Sequence, residues 1–310
     1  MRNFMKPVLN RREFVQITGS ALAATALHPA GVGAAEETPA RGNRRGLKKG
    51  VSLGMVAGNQ SILEKFKLLK ELGFDGVELN YPNGPDKTQI LNAREATGIQ
   101  VGNIIDSAHW GQTLSDPDPE VRAKGLAALK QTLRDARELG CPTVLLVPAV
   151  VNKNVSYADA YTRSQAEIRQ AIPLAAQLGV KIAIENVWNQ FLLSPLEAAR
   201  YVDEFNSPWV GWHFDVGNVI TYGWPEQWVR ILGKRIVTLH IKEYSRKRRD
   251  REGLGKGFDV ELLEGDNDWP AVMKALDEVG FRGWSIAEIP GGDAARLKNI
   301  AERMDKILSS

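Results

Sequence analysis

The sequence contains very little cysteine. Cys141 is the only cysteine in the 310 residues, so the chain cannot form a disulfide bond within itself, even in an oxidising compartment. Its stability must therefore come from a hydrophobic core. The stretch from Gly50 to Leu308 is long enough to bury a large core without covalent cross-links.

The sequence also lacks a strong charge of either sign. Its formal net charge is +3. Residues 1–35 contain four basic residues and one acidic residue, so this N-terminal stretch accounts for the whole excess. The rest of the chain is nearly neutral, which gives no reason to expect a nucleic-acid partner. The basic cluster at 246–251 is interrupted and flanked by acidic residues.

Long hydrophobic runs are absent as well. The apolar stretch from Ile17 to Leu27 is shorter than the roughly 20 residues that cross a bilayer, so we expect no stable membrane insertion. The stretch follows a twin-arginine pair, Arg11 and Arg12, and precedes small residues at 33–35. This pattern resembles a Tat export signal. A membrane anchor and a disordered basic tail are the alternative interpretations.

These features divide the chain into three parts. We predict a Tat signal over residues 1–35, a linker over 36–49, and a single catalytic domain over 50–310. The linker prediction rests on a composition rich in Glu, Pro, Arg, Gly and Lys. The signal predicts a protein that is exported to the periplasm or another extracytoplasmic location.

From residue 50 onward the chain alternates between short apolar runs and segments with helical periodicity. Val51–Met55 is the first predicted strand, and glycines such as Gly98 stop the predicted helices. The count is eight strands and eight helices in strict alternation, which predicts a (β/α)8 TIM barrel. An open doubly wound sheet is the structural alternative. A long charged loop at 245–266 is read as a lid, a partner surface or a mobile insertion.

Four consecutive predicted strands end in side chains that bind metals. The residues are Glu185, Asp215, His240 and Glu288. All strands of a parallel barrel end on the same face, so these four side chains should meet there. Three carboxylates and one imidazole suit a hard or borderline divalent cation. The alternative is three carboxylates at the rim and one histidine with a purely structural role.

The barrel, the ordered ligands and two phrases, Phe74-Asp-Gly-Val-Glu-Leu and Ile182-Ala-Ile-Glu-Asn, resemble the sugar isomerase/epimerase superfamily with xylose isomerase-like barrels. Its members include ketose 3-epimerases, hydroxypyruvate isomerase, inosose dehydratase and endonuclease IV. The resemblance implies one divalent ion, often manganese, with magnesium, cobalt or zinc as alternatives. It implies that Glu185, Asp215, His240 and Glu288 hold this ion, and that Glu185 and Glu288 also act as the acid/base pair.

The resemblance also implies residues that contact substrate. Arg246 lies six residues after His240, where the ketose 3-epimerases have an arginine that binds substrate hydroxyls. Asn218 stands three residues after Asp215, where that family has a histidine, and it is expected to contact substrate in place of that histidine. His109 ends the third predicted strand at the active face and is expected either to contact substrate or to be a capped histidine at the surface. Trp188 is expected in an aromatic wall, with buried packing as the alternative.

The expected activity is epimerisation or isomerisation of a keto sugar through an enediolate, and the expected partner is a small carbohydrate. A lyase acting on a keto sugar or 3-keto-glycoside would use the same site, because both reactions begin with proton removal next to a carbonyl. A non-catalytic sugar-binding barrel is the second alternative. An endonuclease is not expected, because a trinuclear zinc site needs more histidines than the four present. Homo-oligomerisation is possible.

Overall fold

Eight parallel strands close into a barrel in residues 45–310, the part of the chain that the computed structural model describes. Each strand pairs with the next, and the last pairs with the first. The predicted signal at 1–35 lies outside the described residues. The strands are Lys48–Ser52 (β1), Gly76–Tyr81 (β2), Gln100–Asp106 (β3), Thr143–Leu146 (β4), Lys181–Glu185 (β5), Val210–Asp215 (β6), Ile236–Ile241 (β7) and Trp284–Ala287 (β8).

Helices connect successive strands, so the predicted (β/α)8 TIM barrel is confirmed. Nine α-helices occur within residues 45–310, one more than predicted. No helix there is both long and apolar enough to cross a bilayer. The helices are Ile62–Glu71 (α1), Lys87–Thr97 (α2), Pro119–Glu138 (α3), Tyr157–Leu178 (α4), Pro195–Asp203 (α5), Pro225–Leu232 (α6), Arg246–Glu252 (α7), Trp269–Glu278 (α8) and Ala294–Ser309 (α9).

Local signals in the sequence explain the helix ends. The Ser156 side chain accepts a hydrogen bond from the Asp159 amide at the start of α4, and Gly179 ends that helix with a φ of 69°. A serine N-cap satisfies a free amide, and glycine adopts a positive φ without steric cost. Both ends of α4 are therefore set by residues next to the helix in the sequence. Helix α3 buries an apolar stripe at helical spacing, formed by Leu126, Leu129, Leu133 and Ala136.

The N-terminal end of the barrel interior is filled by one aromatic side chain. The indole of Trp284 lies inside the barrel against Gly76 and Gly102. A Cβ atom added at either glycine would come within 2.4 Å of the ring. Glycine at these two positions therefore makes room for the indole. Lys48, the partner of Trp284 in the register of β1 and β8, lies over the ring with its Nζ atom 5.0 Å from the ring centroid.

The first strand begins earlier than predicted. Lys48 and Lys49 lie in β1, inside the stretch interpreted as linker, and the strand ends at Ser52 rather than Met55. The two charges do not prevent a buried strand, because both ammonium groups find partners. Lys48 donates to the Gln100 side chain, and the buried Lys49 donates to Asp305 on α9.

The predicted loop at 245–266 contains a helix. Ser245 caps α7 by accepting a hydrogen bond from the Arg248 amide, and a short 3-10 helix follows at Leu254–Phe258. The sequence pattern did not predict this helix, because α7 is made almost entirely of charged residues and buries none of its side chains. The insertion between β7 and α8, residues 245–268, therefore has regular structure.

Candidate metal centre

The four predicted ligands meet at the C-terminal end of the barrel. Glu185 and Asp215 are the last residues of β5 and β6, His240 is the last but one residue of β7, and Glu288 directly follows β8. Asp215 and His240 are partners in the register of β6 and β7. Their positions follow from the parallel barrel, which brings every strand end to one face.

The geometry of this cluster fits a divalent cation. One oxygen or nitrogen atom from each of the four residues lies within 4.8 Å of the others. The Nδ1 atom of His240 is 3.7 Å from a Glu185 oxygen, 3.8 Å from an Asp215 oxygen and 3.2 Å from a Glu288 oxygen. This nitrogen is buried and makes no hydrogen bond within the described residues. The donor set has the oxygen-rich composition that hard and borderline cations prefer.

Lys242 lies against the same carboxylates. Its Nζ atom is 2.7 Å from a Glu288 oxygen and 3.3 Å from an Asp215 oxygen. Alternation along β7 puts the side chain on the same face as His240. Glu288 is the most exposed member of the cluster, with 37% of its side chain accessible. Lys242 therefore holds the carboxylate that is most accessible from the open end of the barrel.

Burial and neighbouring charges shift the pKa values in the cluster. Burial raises the pKa of Glu185 to about 7, although His240 opposes this shift. Burial acts in the same direction on Glu288, but His240 and Lys242 outweigh it and hold the pKa of Glu288 well below its usual range. Burial disfavours the charged ring of His240, yet Glu78 and Glu288 raise its pKa well above its usual range. The cluster strongly favours positive charge at its centre.

His213 offers an alternative ligand. It forms a second possible group with Glu185 and His240, and its ring centroid is 4.0 Å from that of His240. Both ring nitrogens are buried and make no hydrogen bond within the described residues. His213 lies two residues before Asp215, one layer deeper in the barrel. The group that contains Glu288 is the one that reaches the open end of the barrel.

Asp215 is held in place by two asparagines. The backbone N–H of Asp215 donates to the Asn186 side-chain oxygen at 3.1 Å. The Asp215 carboxylate accepts from the backbone N–H of Asn218 at 2.9 Å. The Asn218 side chain in turn donates to the Asn186 carbonyl. Asn218, predicted to bind substrate, is thus buried and occupied with Asn186.

A match to a family model covers most of the barrel. The model for the xylose isomerase-like TIM barrel matches residues 66–309. The chain belongs to this family. The resemblance noted from the strand-end ligands is therefore confirmed at the level of the family.

Several of the proteins that this chain resembles are named as sugar epimerases. The chain is 26% identical over 284 residues to L-ribulose-5-phosphate 3-epimerase UlaE of Escherichia coli O1:K1 / APEC, an alignment that covers 84% of this chain and 97% of the relative. A solved structure of D-psicose 3-epimerase in the presence of D-fructose superimposes with a TM-score of 0.69, 19% identity, and coverage of 85% of this chain and 100% of the other. The IolI protein, solved with a bound zinc atom, gives a TM-score of 0.66 at 18% identity, with coverage of 85% and 98%.

Arg246 binds protein groups in this family member. Its Nε atom donates to the Ile220 carbonyl at 2.8 Å, and one Nη atom donates to the Gly223 carbonyl at 2.7 Å. Its guanidinium also lies over the Trp224 ring, 5.3 Å from the centroid. The arginine predicted to bind sugar hydroxyls therefore fastens the loop after β6 to the start of α7.

Trp188 forms an aromatic wall beside the carboxylates. Its ring centroid is 4.8 Å from that of Phe258, and its Nε1 atom donates to the Asn218 carbonyl. The Nζ atom of Lys242 lies 5.0 Å from the Phe258 centroid. Trp188 and Phe258 are both partly exposed. Phe258 comes from the insertion at 245–268, so this insertion contributes to the surroundings of the site.

His109 lies in the turn after β3 rather than in the strand. It is buried, and its Nδ1 atom accepts a hydrogen bond from the Val147 amide at 3.2 Å. Burial lowers the pKa of His109 to about 4, so the ring is neutral. The adjacent Trp110 is half exposed and packs edge-on against it. Of the two, Trp110 is the side chain that faces solvent.

Two important carboxylates received no firm role from the sequence. Glu78 is buried in β2 and contacts His240 at 2.9 Å. Glu243, next to Lys242, is buried and accepts hydrogen bonds from the Leu263 amide and the Trp269 indole, both at 2.9 Å. It thereby ties the insertion to the end of β7. A signal for Glu78 existed, because it shares a face with Asn80 near a strand end. Glu243 carried no comparable signal.

Proposed function

We propose that this protein is a divalent-metal-dependent epimerase or isomerase of keto sugars. The main support is the cluster of Glu185, Asp215, His240 and Glu288 at the C-terminal end of the barrel. The sequence relatives and structural neighbours with sugar-epimerase names also support this proposal. The ligand set is complete, which disfavours a barrel that only binds sugar.

We propose that Glu185 and Glu288 are the acid/base pair. Proton transfer needs each carboxylate within hydrogen-bond reach of the substrate carbon that loses or gains the proton. One glutamate removes the proton next to the carbonyl, and the other returns a proton to the opposite face. The reverse reaction exchanges these roles, so both groups must be able to act as acid and as base. Return of the proton to the neighbouring carbon gives isomerisation instead.

The two glutamates have surroundings suited to this exchange. Glu185 is buried beside His240, whereas Glu288 is partly exposed and bonded to Lys242. Lys242 keeps Glu288 oriented towards the cluster and keeps positive charge close to the substrate oxygens. A divalent ion held by the four ligands would supply a Lewis acid that stabilises the developing negative charge. Manganese, magnesium, cobalt and zinc are compatible with three carboxylates and one imidazole.

We propose a small keto sugar as the substrate. A sugar is both polar and flat enough to use hydrogen bonds and an aromatic surface together. Trp188 and Phe258 provide such a surface next to Lys242. Phosphorylated and unphosphorylated sugars remain distinct classes, because the names of the relatives include both.

We also propose that residues 1–35 direct Tat export. The support is the pair Arg11 and Arg12 before a moderately apolar stretch. Replacing both with lysine should keep the protein in the cytoplasm, because Tat receptors read the arginine pair. Cell fractionation with and without the replacement tests this. Equal export of the variant would contradict the proposal.

Proton exchange is the experiment that tests the proposed activity. The purified protein would be incubated in D2O with manganese and a panel of free keto sugars, keto-sugar phosphates and 3-keto-glucosides. NMR and mass spectrometry would follow each sugar. We expect deuterium at a carbon next to the carbonyl, together with inversion of that carbon or movement of the carbonyl.

Two controls make the result specific. Removal of divalent metal with a chelator should stop exchange, and addition of manganese should restore it. Exchange accompanied by loss of water or an alcohol would indicate a lyase instead. No exchange across the whole panel, in protein that binds metal, would contradict the proposed substrate class.

A further inference from the structure

A second carboxylate touches His240 from across the barrel. Glu78 is fully buried in β2, and its Oε2 atom is 2.9 Å from the Nε2 atom of His240. Strand β2 pairs with β1 and β3, whereas β7 pairs with β6 and β8. The contact therefore crosses the barrel interior. It lies on the opposite edge of the ring from the three carboxylates of the metal cluster.

Neighbouring strands orient Glu78. The Asn103 side-chain nitrogen donates to Glu78 Oε2 at 2.8 Å, and the Asn103 side-chain oxygen accepts from the Thr143 hydroxyl at 2.6 Å. The reverse orientation of the amide would put its oxygen against the Glu78 carboxylate and is disfavoured by charge. Thr143 on β4 thus fixes Asn103 on β3, and Asn103 fixes Glu78 on β2.

This chain of hydrogen bonds decides which imidazole nitrogen can bind a metal. An ionised carboxylate only accepts hydrogen bonds, so the hydrogen between the two groups belongs to Nε2 of His240. When the ring keeps only this one hydrogen, as metal binding requires, its lone pair lies on Nδ1. That atom faces the oxygens of Glu185, Asp215 and Glu288. The other tautomer would direct an N–H group at the metal and prevent coordination.

We propose that Glu78 is a positioning residue that makes Nδ1 of His240 the metal-binding nitrogen, and that Asn103 and Thr143 support it. The inference rests on the proposed metal-dependent function. Partners of this kind hold a metal-binding histidine in one tautomer and raise its basicity, and their loss typically weakens metal binding or activity 10–100-fold. Glu78 does not touch the substrate in this scheme.

Metal affinity and the tautomer of His240 together test the proposal. Affinity for Mn2+ and Zn2+ would be measured by competition with a chelator for the wild type, Glu78→Gln and Glu78→Leu. We expect Glu78→Leu to weaken binding about 10–100-fold and Glu78→Gln to weaken it less, because an amide oxygen can still accept from Nε2. NMR of 15N-labelled histidine in the zinc-loaded protein should show Nε2 of His240 protonated, with His240→Asn used to assign the signal.

A milder pair of variants guards against misfolding. Thr143→Val removes only the hydroxyl that orients Asn103, and Thr132→Val makes the same change on α3, where the hydroxyl bonds the Ala128 carbonyl. We expect Thr143→Val to weaken metal binding measurably and Thr132→Val to leave it unchanged. Wild-type affinity in a folded Glu78→Leu variant, coordination through Nε2, or a wild type that binds neither metal would overturn the proposal. None of these readouts needs a substrate, so metal binding through Nδ1 without epimerisation would refute the proposed function alone.

Discussion

The two ends of the barrel interior differ in composition, because one end collects charged side chains and the other is filled by an aromatic ring. At the C-terminal end, Glu185, Asp215 and Glu288 converge on His240 and Lys242. At the N-terminal end, Trp284 fills the interior against glycines. The first end brings together like charges that repel one another. The second end has glycines at Gly76 and Gly102, whose missing side chains leave room for the indole.

The difference teaches where this protein places function and where it places stability. At the C-terminal end, carboxylates buried close together repel one another and the Nδ1 atom of His240 has no hydrogen-bond partner among the described residues, which costs stability unless a cation joins them. The N-terminal end gains from burial of apolar surface and tight packing. We therefore expect changes at the first end to reduce turnover at nearly constant stability, and changes at the second end to do the reverse.

The largest effect is expected for Glu288→Gln. The change removes a proton-transfer group while preserving shape, so turnover should fall at least about 100-fold, given the 10²–10⁴-fold contribution of such groups. Steady-state kinetics on the substrate found by proton exchange would measure it. The matched control is Glu278→Gln on α8, whose side chain pairs with the exposed Arg230. A Glu288→Gln variant with near wild-type turnover would remove Glu288 from the mechanism.

At the other end, Gly76→Ala should act on stability. Its Cβ would lie 2.4 Å from the Trp284 ring and 2.6 Å from the Gln100 carbonyl. Overpacking of this kind costs about 1–3 kcal/mol, which chemical denaturation would measure. Gly255→Ala is the control, because a Cβ there meets nothing within 4 Å. Unchanged stability in Gly76→Ala would show that the Trp284 packing yields easily.

Two lysines sharpen the comparison, because each bonds a carboxylate in a different region. Lys242→Met should lower activity about 10–100-fold, since it removes a charged partner of Glu288. Lys49→Met, which loses the bond to Asp305, should lower the free energy of unfolding by about 1–3 kcal/mol and leave turnover unchanged. Kinetics and denaturation on both variants would test this. The comparison fails if the two variants change turnover and the free energy of unfolding in the same way.

The smallest effect is expected for Arg246→Ala. Loss of its bonds to the Ile220 and Gly223 carbonyls should loosen the loop after β6. We expect faster limited proteolysis near 220–223 and a few-fold higher KM. Arg251→Ala on the exposed side of α7 is the control. A higher KM with unchanged proteolysis would favour the direct substrate contact that the sequence predicted.

Much of the fold could be predicted because its signals are local. The ends of α2, α4 and α6 carry such signals, since capping residues, proline at the first turn and glycine after the last turn all act within a few residues. The start of β1 was missed because its lysines are neutralised by distant groups such as Asp305. Helix α7 was missed because it buries no apolar stripe.

The site divides in the same way. Glu185, Asp215, His240 and Glu288 could be identified because each stands at a strand end, and a parallel barrel fixes where strand ends meet. The backbone contacts of the Asn218 and Arg246 side chains could not be predicted. Their side chains bind backbone carbonyls of Asn186, Ile220 and Gly223. Every residue has a backbone carbonyl, so the sequence contains no signal for which carbonyl a side chain will bind.

The sequence by itself determined the alternation of strands and helices and the set of residues that face one another at the C-terminal end. These follow from periodicity, from helix capping and from the geometry common to all parallel barrels. Only the tertiary structure decided that Glu78 reaches His240 across the interior, that Lys242 bonds Glu288, and that Phe258 stands beside Trp188. Such contacts depend on the closure and shear of the barrel and on the path of an insertion. Neither is encoded in any short stretch of the chain.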